Sequence, residues 1–408
     1  MQQRVVIFAL VLYAAFAFRP ILELPIFSRT LNLSPGDMVT ILLVLGLFLK
    51  ALLQRRKTVV IEKPPAVIHF LFAYILLAVV FLLPTLLFFV LHNELATALP
   101  RSLFNYLLWA IALVLFYYGS DSQLKINELR QIVWLLMVAF FAGVMGNLLL
   151  ANSNLSSLIA DTLTSQDSRL TGQIGDPNEL GSLAAFFVVL GLMGALHEKQ
   201  IRAQITFFFL ALGTGLILLL TQSREALLTV VVAVLCICIL LARTKQYRKA
   251  FVVLSGLAIG SFFSVINIPR IAETLLALDV GNTGAALSAR DQVWGSMFHI
   301  ISTQPLGVGF ETAYLLTNNT AQQAHNTIMQ SALVAGFLGV IAFFFFIVFF
   351  IKLLWDQGKL APENWMIEAY FVFSVGYLAT SMVSDHFISF FTFNAIFFGL
   401  LGFVACTR

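Results

Sequence analysis

The chain reads as an all-α polytopic membrane protein of about twelve transmembrane helices, and three features of the sequence predict this fold class. Of its 408 residues, 60% are hydrophobic and only 11% are charged, against roughly 25% charged in a soluble domain. Its mean hydropathy is +0.94, and 40 phenylalanines sit largely in long charge-free runs. Such runs, in place of alternating segments of about ten residues, exclude an outer-membrane barrel as well as a soluble enzyme.

Runs near the roughly 20 residues that cross a bilayer fall at 5–18, 33–53, 66–90, 102–119, 132–150, 180–196, 203–221, 225–242, 251–266, 326–351, 366–384 and 387–405. The first follows Met1-Gln-Gln-Arg4 and could pass for a leader. It is read as a retained span, because a cleaved leader would break the even count. With the amino terminus inside, 17 of the 24 Lys and Arg residues face the cytoplasm and seven face out, which follows the positive-inside rule. Both termini are then cytoplasmic. All nine lysines fall inside, and the outer cations are Arg19, Arg29, Arg101, Arg169, Arg224, Arg270 and Arg290. Arginine's planar fork binds phosphate oxygens in pairs, whereas lysine is a hydrated point charge. For Arg19, Arg29, Arg101 and Arg270, snorkelling to lipid headgroups is the simpler reading. The net charge of +4 therefore reports topology and not nucleic-acid binding.

No separate soluble domain is apparent, so residues 1–408 read as a single integral membrane domain. Its first polar outer loop is 151–179, and its main outer loop is 267–325. Within the latter, Pro269 to Leu278 and Ser288 to Ser302 read as short helices. The second is amphipathic and expected to lie along the interface. Pro305-Leu-Gly-Val-Gly309 calls for a tight loop whose backbone approaches a ligand. Cys236 and Cys238 are two apart in an apolar run, point to different helix faces, and form no ligand or redox pair. Cys406, near the carboxyl end, adds no disulfide.

No expected span carries a charge near its centre, which disfavours an ion-coupled carrier. Outer polar candidates are Arg169, Arg224, Arg290, His325 with Asn326 beside it, and Asp385-His386. Neither a paired-carboxylate metal motif nor a nucleophile elbow or phosphate loop occurs, so no metal is expected. His325 is the last polar group but one before a long apolar helix. Histidine titrates near neutrality and is the commonest general base; the alternative is a histidine that marks the water boundary of its helix. His386 is a weaker competitor for the base.

In order along the chain stand Arg169-Leu-Thr-Gly-Gln-Ile-Gly-Asp-Pro-Asn-Glu-Leu-Gly181, Thr221-Gln-Ser-Arg-Glu225, Arg290-Asp-Gln-Val-Trp294 with Pro305-Leu-Gly-Val-Gly309, and Ala324-His-Asn-Thr327 with Gly336-Phe-Leu-Gly339. In sequence and placement these motifs resemble the O-antigen ligase and polymerase superfamily. The resemblance covers about 169 to 340; the first five spans share only a compatible hydropathy pattern. It implies an inverting, metal-independent glycosyltransferase of the GT-C type, without a cofactor, working at the periplasmic face of a bacterial inner membrane. The donor it implies is a glycan on undecaprenyl pyrophosphate, and the acceptor a sugar hydroxyl. Carried over motif by motif, His325 is the base, and Arg169, Arg224 and Arg290 bind the pyrophosphate. Asp176 and Asn178 are expected to shape the turn after Arg169 more than to touch substrate. The segment between Arg290 and His325 is compact for a ligase.

Ligation of the glycan to lipid A core is the leading expectation. Polymerisation, with a second lipid-linked repeat unit as acceptor, is the alternative. A flippase or transporter is a third reading, and it leaves His325 and the one-sided arginines unexplained.

Overall fold

A computed structural model describes residues 2–16, 22–26, 29–33, 38, 41–42, 46, 63–91, 99–122, 124–151, 170, 176–267, 290–309, 316, 324–361, 363–382 and 391–406. Among them are twelve helices: α1 (Gln2–Phe16), α2 (Pro65–Leu91), α3 (Leu99–Ser120), α4 (Ile126–Ala151), α5 (Pro177–His197), α6 (Ile201–Thr221), α7 (Arg224–Arg243), α8 (Tyr247–Asn267), α9 (Arg290–Thr303), α10 (Thr327–Leu360), α11 (Trp365–Thr380) and α12 (Phe391–Val404). Six stretches, in α2, α4, α5, α6, α7 and α10, are long and apolar enough to cross a membrane; α1, α3 and α12 carry shorter apolar stretches. The chain is a helical polytopic membrane protein.

Eleven of the expected spans fall on these helices, and α9 is the one helix of the twelve that no expected span covers. The remaining span, 33–53, lies outside the described residues apart from Leu33 and isolated positions, as does the short helix expected from Pro269. One stretch departs from an all-helical chain. Strands β1 (Leu22–Ile26) and β2 (Arg29–Leu33) pair antiparallel, with Leu22 opposite Leu33 and Ile26 opposite Arg29. A loop was expected at 19–32, and β2 ends where the second span was expected to begin. Leu, Ile and Thr suit paired strands, and Pro25 is tolerated because both strands of a two-stranded hairpin are edges.

By its contacts the chain divides into two compact units: one of residues 1–136, 292–362 and 382–408, the other of 137–291 and 363–381. In the first, α2 and α10 run antiparallel: His69 meets Phe349 with ring centroids 5.7 Å apart, and Phe81 lies against Gly339. Lipid offers no hydrophobic force between helices, so shape and polar contacts must hold them. Phenylalanine supplies the shape. Phe70 lies 4.8 Å from Phe116, 5.5 Å from Phe346 and 6.0 Å from Phe398, centroid to centroid, which joins α2, α3, α10 and α12 through one ring. Glycine lets α12 close on α3, since a Cβ at Gly402 would strike the carbonyl of Phe116.

Polar contacts complete this unit. Pro84 inside α2 has no N–H for the turn before it. The nearby Phe81 carbonyl accepts from the hydroxyls of Thr85 and of Tyr106 on α3, and those two hydroxyls are 2.7 Å apart. At the opposite end of the pair, Lys63 bonds Asp121 at 2.6 Å and Ser120 Oγ at 2.6 Å, and lies 4.0 Å over the Tyr117 ring.

In the second unit α5 is buried on nearly every side, as a helix apolar all round must be. Its glycines admit neighbours: a Cβ at Gly191 would stand 2.8 Å from that of Ala211, and one at Gly194 would press into the Phe207 ring. Phe186 packs on Tyr370 and Phe373 of α11 at 5.2 and 5.1 Å. Helices α7 and α11 touch where Gly376 faces the Thr229 carbonyl, and a Thr229–Thr380 hydrogen bond of 2.9 Å crosses the same seam. At the far end of α5, the buried Glu198 accepts from Trp365 Nε1 at 3.0 Å.

The α7–α11 seam gives a direct test. Gly376→Val puts a branched side chain against the Thr229 carbonyl and should destabilise the protein by about 1–3 kcal/mol. The expected result is a lower thermal midpoint in detergent, whereas Gly256→Val, where a Cβ meets nothing, should leave it unchanged.

Candidate functional site

Residues 176–181 and 221–225 stand around the amino-terminal ends of α5 and α7 in the second unit, and His325 with Asn326 at that of α10 in the first. In the second unit, the Thr221-Gln-Ser-Arg-Glu225 motif is the corner between α6 and α7. Gln222 turns the chain in the left-handed region at φ 50° and donates its N–H to Leu219 at 3.0 Å. Ser223 caps α7, its hydroxyl accepting from Ala226 N–H at 3.4 Å. Arg224 is then the first residue of α7 and is half-buried.

The longer motif meets the same corner. Asp176 caps α5 by accepting from Asn178 N–H at 2.7 Å, and Pro177 takes the first helical position, where a missing N–H costs nothing. The backbone of Asn178 thus serves the cap, as expected of a residue that shapes the turn. A Cβ at Gly181 would come within 2.8 Å of Ser223 Cβ and 2.9 Å of Thr221 Oγ1, so glycine lets α5 rest on the α6–α7 corner. Leu170 N–H bonds the Leu220 carbonyl at 3.0 Å, which ties the residue after Arg169 to the turn before Arg224. Arg169 itself lies outside the described residues.

Glu179 and Glu225 are only 7% and 5% exposed at these helix starts. The sequence reading missed them, because an acid in a first helical turn is ordinary. Their signal was rarity: acids are scarce in a chain so poor in charge, and Glu225 directly follows Arg224.

The first unit holds His325. Its φ of 47° puts it in the left-handed region, which few residues other than glycine enter and histidine enters more readily than most. Both neighbours are fixed. Ala324 N–H donates to Gln330 Oε1 at 2.8 Å, and Ala324 C=O accepts from Trp294 Nε1 at 2.7 Å. Asn326 caps α10 by accepting from Met329 N–H at 2.9 Å, and its amide donates to the Met382 carbonyl at 2.8 Å. Asp385 and His386, three and four residues beyond, lie outside the described residues. Arg290 opens α9, and its side chain is outside them as well.

The glycine motifs form a structural joint. Helix α10 is interrupted at Ala335 and at Gly336, whose φ of 61° and ψ of −155° belong to a region essentially reserved for glycine. The break leaves carbonyls without their usual helical donors, and Val308 and Gly309 supply N–H groups to Leu333 and Val334 at 2.8 and 3.0 Å. A Cβ at Gly336 would strike the Pro305 carbonyl, one at Gly307 would come within 2.5 Å of the Ala335 amide, and one at Gly309 would meet Thr85. The loop expected to approach a ligand thus approaches the backbone of α10. It does so six to seven residues inside the helix, roughly 10 Å along its axis. Met297 and Ile300 of α9 pack with Phe88, Phe89, Val308 and Leu333 on the way. One side of α9 is therefore packed against residues of α2 and of α10.

Among the described residues no group of three or more His, Cys, Asp or Glu stands together as a metal site. The architecture is that of a multi-pass membrane protein whose polar motifs are gathered at helix mouths. Residues 205–344 match the family model described as O-antigen ligase. The resemblance to the O-antigen ligase and polymerase superfamily thus stands on the stretch that contains Arg224, Arg290 and His325, and it supports a function of that type. No curated protein matches the chain.

Gly336→Ala tests the joint: the substituted residue would sit in a glycine-only conformation against Pro305, at a cost of about 1–3 kcal/mol from backbone strain alone. Faster hydrogen exchange of the Val308 and Gly309 amides should accompany the lower stability, and unchanged protection would mean that the joint does not hold the loop.

Proposed function

We propose that the protein is an inverting glycosyltransferase of the O-antigen ligase and polymerase type, transferring a glycan from undecaprenyl pyrophosphate to a sugar hydroxyl at the periplasmic face of the inner membrane. The observation that carries this reading is the family match over 205–344, whose segment includes His325 between two clamped neighbours at the head of α10.

In the reaction, the acceptor hydroxyl oxygen attacks the anomeric carbon on the side opposite the pyrophosphate. The carbon–oxygen bond to the pyrophosphate breaks and its electron pair leaves with undecaprenyl pyrophosphate, so the configuration inverts. His325 takes the hydroxyl proton as general base. Arg169, Arg224 and Arg290 neutralise charge growing on the leaving group, which is the stabilisation that preorganised cations supply best. Cation and base chemistry of this kind needs no metal, because the pyrophosphate is already a good leaving group. Asn326, by capping α10, holds the turn that presents His325. Ligation to lipid A core is the preferred outcome. A lipid-linked repeat unit as acceptor makes the same chemistry a polymerisation, and the acceptor is what separates the two.

Reconstitution with an undecaprenyl-pyrophosphate glycan and either acceptor is the test. Transfer should persist in EDTA, and His325→Ala should lower kcat on the order of 10²–10⁴-fold. Arg224→Lys should not restore the loss seen in Arg224→Ala, because lysine cannot present a planar fork. Full activity of His325→Ala would shift the base to His386. Lipid movement across the bilayer with no glycosidic product would replace the enzyme by a flippase.

A further inference from the structure

We infer that Trp294 and Gln330 are positioning residues for His325, acting from opposite sides of the Ala324 backbone; this rests on the reading of His325 as the general base. The two side chains come from different elements, α9 and the first turn of α10, and converge on one residue. Trp294 Nε1–H donates to the Ala324 carbonyl at 2.7 Å, and Gln330 Oε1 accepts from the Ala324 amide at 2.8 Å. Gln330 is 3% exposed and Ala324 0%, so neither bond is traded readily for water.

The clamp has a specific task. His325 adopts φ 47°, a left-handed conformation uncommon outside glycine though more open to histidine than to most residues, and the bonds to its neighbours select it. The Ala324 carbonyl is part of the peptide whose other end is the His325 nitrogen, so a bond to that carbonyl fixes the plane from which the His325 side chain projects. Asn326 fixes the next peptide by capping α10 and reaching Met382. With both flanks tied, the imidazole has only its own side-chain torsions left.

The clamp also accounts for a tryptophan that closes the Arg290-Asp-Gln-Val-Trp294 motif. Its position is four residues after Arg290 on α9, about one turn along the helix. The element that begins with a proposed phosphate-binding arginine therefore also sets the base. Below Trp294, Met297 and Ile300 anchor α9 against α2 and α10, and the 307–309 loop is hydrogen-bonded into the α10 break. Trp294 thus stands on a rigid support.

The experiment measures transfer from an undecaprenyl-pyrophosphate glycan by the full chain in lipid. Trp294→Phe keeps an aromatic ring and removes the donor; Gln330→Met keeps the volume and removes the acceptor. Each should lower kcat on the order of 10–100-fold while the donor KM holds, and the Ala324 backbone group left unpaired should also lower the thermal midpoint. The double variant should be no worse than the poorer single, because both bonds hold the same residue, Ala324. Gln330→Glu, which retains an acceptor, should recover most of the loss. Wild-type kcat in Trp294→Phe, a loss that appears only in KM or in the thermal midpoint, or a Gln330→Glu variant as slow as Gln330→Met would each overturn the clamp. If His325→Ala is itself fully active, the base assignment fails; if it is inactive while Trp294→Phe is not, only the clamp fails.

Discussion

In hydrocarbon no water can satisfy a peptide group, so every backbone amide and carbonyl must find a partner in the protein. The interrupted helix α10 shows how much depends on this. Its break at Ala335–Gly336 frees carbonyls two turns below the helix head, and only another backbone, free of side chains at the contact, can reach them. Gly307 and Gly309 provide that backbone. With Val308 and Gly309 bonded to Leu333 and Val334, the loop that follows α9 is tied to α10, and Trp294 of α9 reaches the Ala324 carbonyl. The loop that repairs the broken helix and the tryptophan that bonds the residue before His325 thus both belong to the stretch from α9 to Gly309.

The second unit solves a similar problem by a different route. Its corner between α6 and α7 is narrow because Gly181 lets α5 approach it, and Leu170 N–H takes up the Leu220 carbonyl at the end of α6. Two motifs far apart in the chain are thus one contact. Polar groups elsewhere in both units serve to staple helices: Lys63 with Asp121, Thr229 with Thr380 and Glu198 with Trp365. These staples use side chains of either charge or none, whereas the proposed pyrophosphate contacts are all arginine.

The helices were legible because charge-free runs of sufficient length have few alternatives in lipid, and eleven spans coincide with helices for that reason. The hairpin at Leu22–Leu33 was not legible: Pro25 and the interspersed polar residues weaken the period-two signal. The Pro305–Gly309 motif announced a close backbone approach but not its target, since glycine records only that space is needed. Trp294 looked like part of an apolar helix side. Its ring nitrogen carries the information, and a hydrogen bond to a residue 30 positions away leaves no periodic trace. Gln330 and the buried acids Glu179 and Glu225 were hidden in the same way, by resembling residues common in first helical turns.

The motif-bearing helices α5, α7 and α10 all start with a side-chain cap: Asp176 on Asn178, Ser223 on Ala226 and Asn326 on Met329. A bare helix mouth is a ready anion site, because its first amides point outward and the helix dipole favours negative charge. Here a side-chain oxygen already occupies one such amide at each mouth, and Asp176 brings a negative charge of its own. The helix ends are spent on holding turns in place. In the proposed reaction, binding the pyrophosphate then falls to groups that carry full positive charge, and the proposed groups are arginines. Capped helices that fix the turns and arginines that supply the charge are separate tasks, which is why the motifs need both residue types side by side.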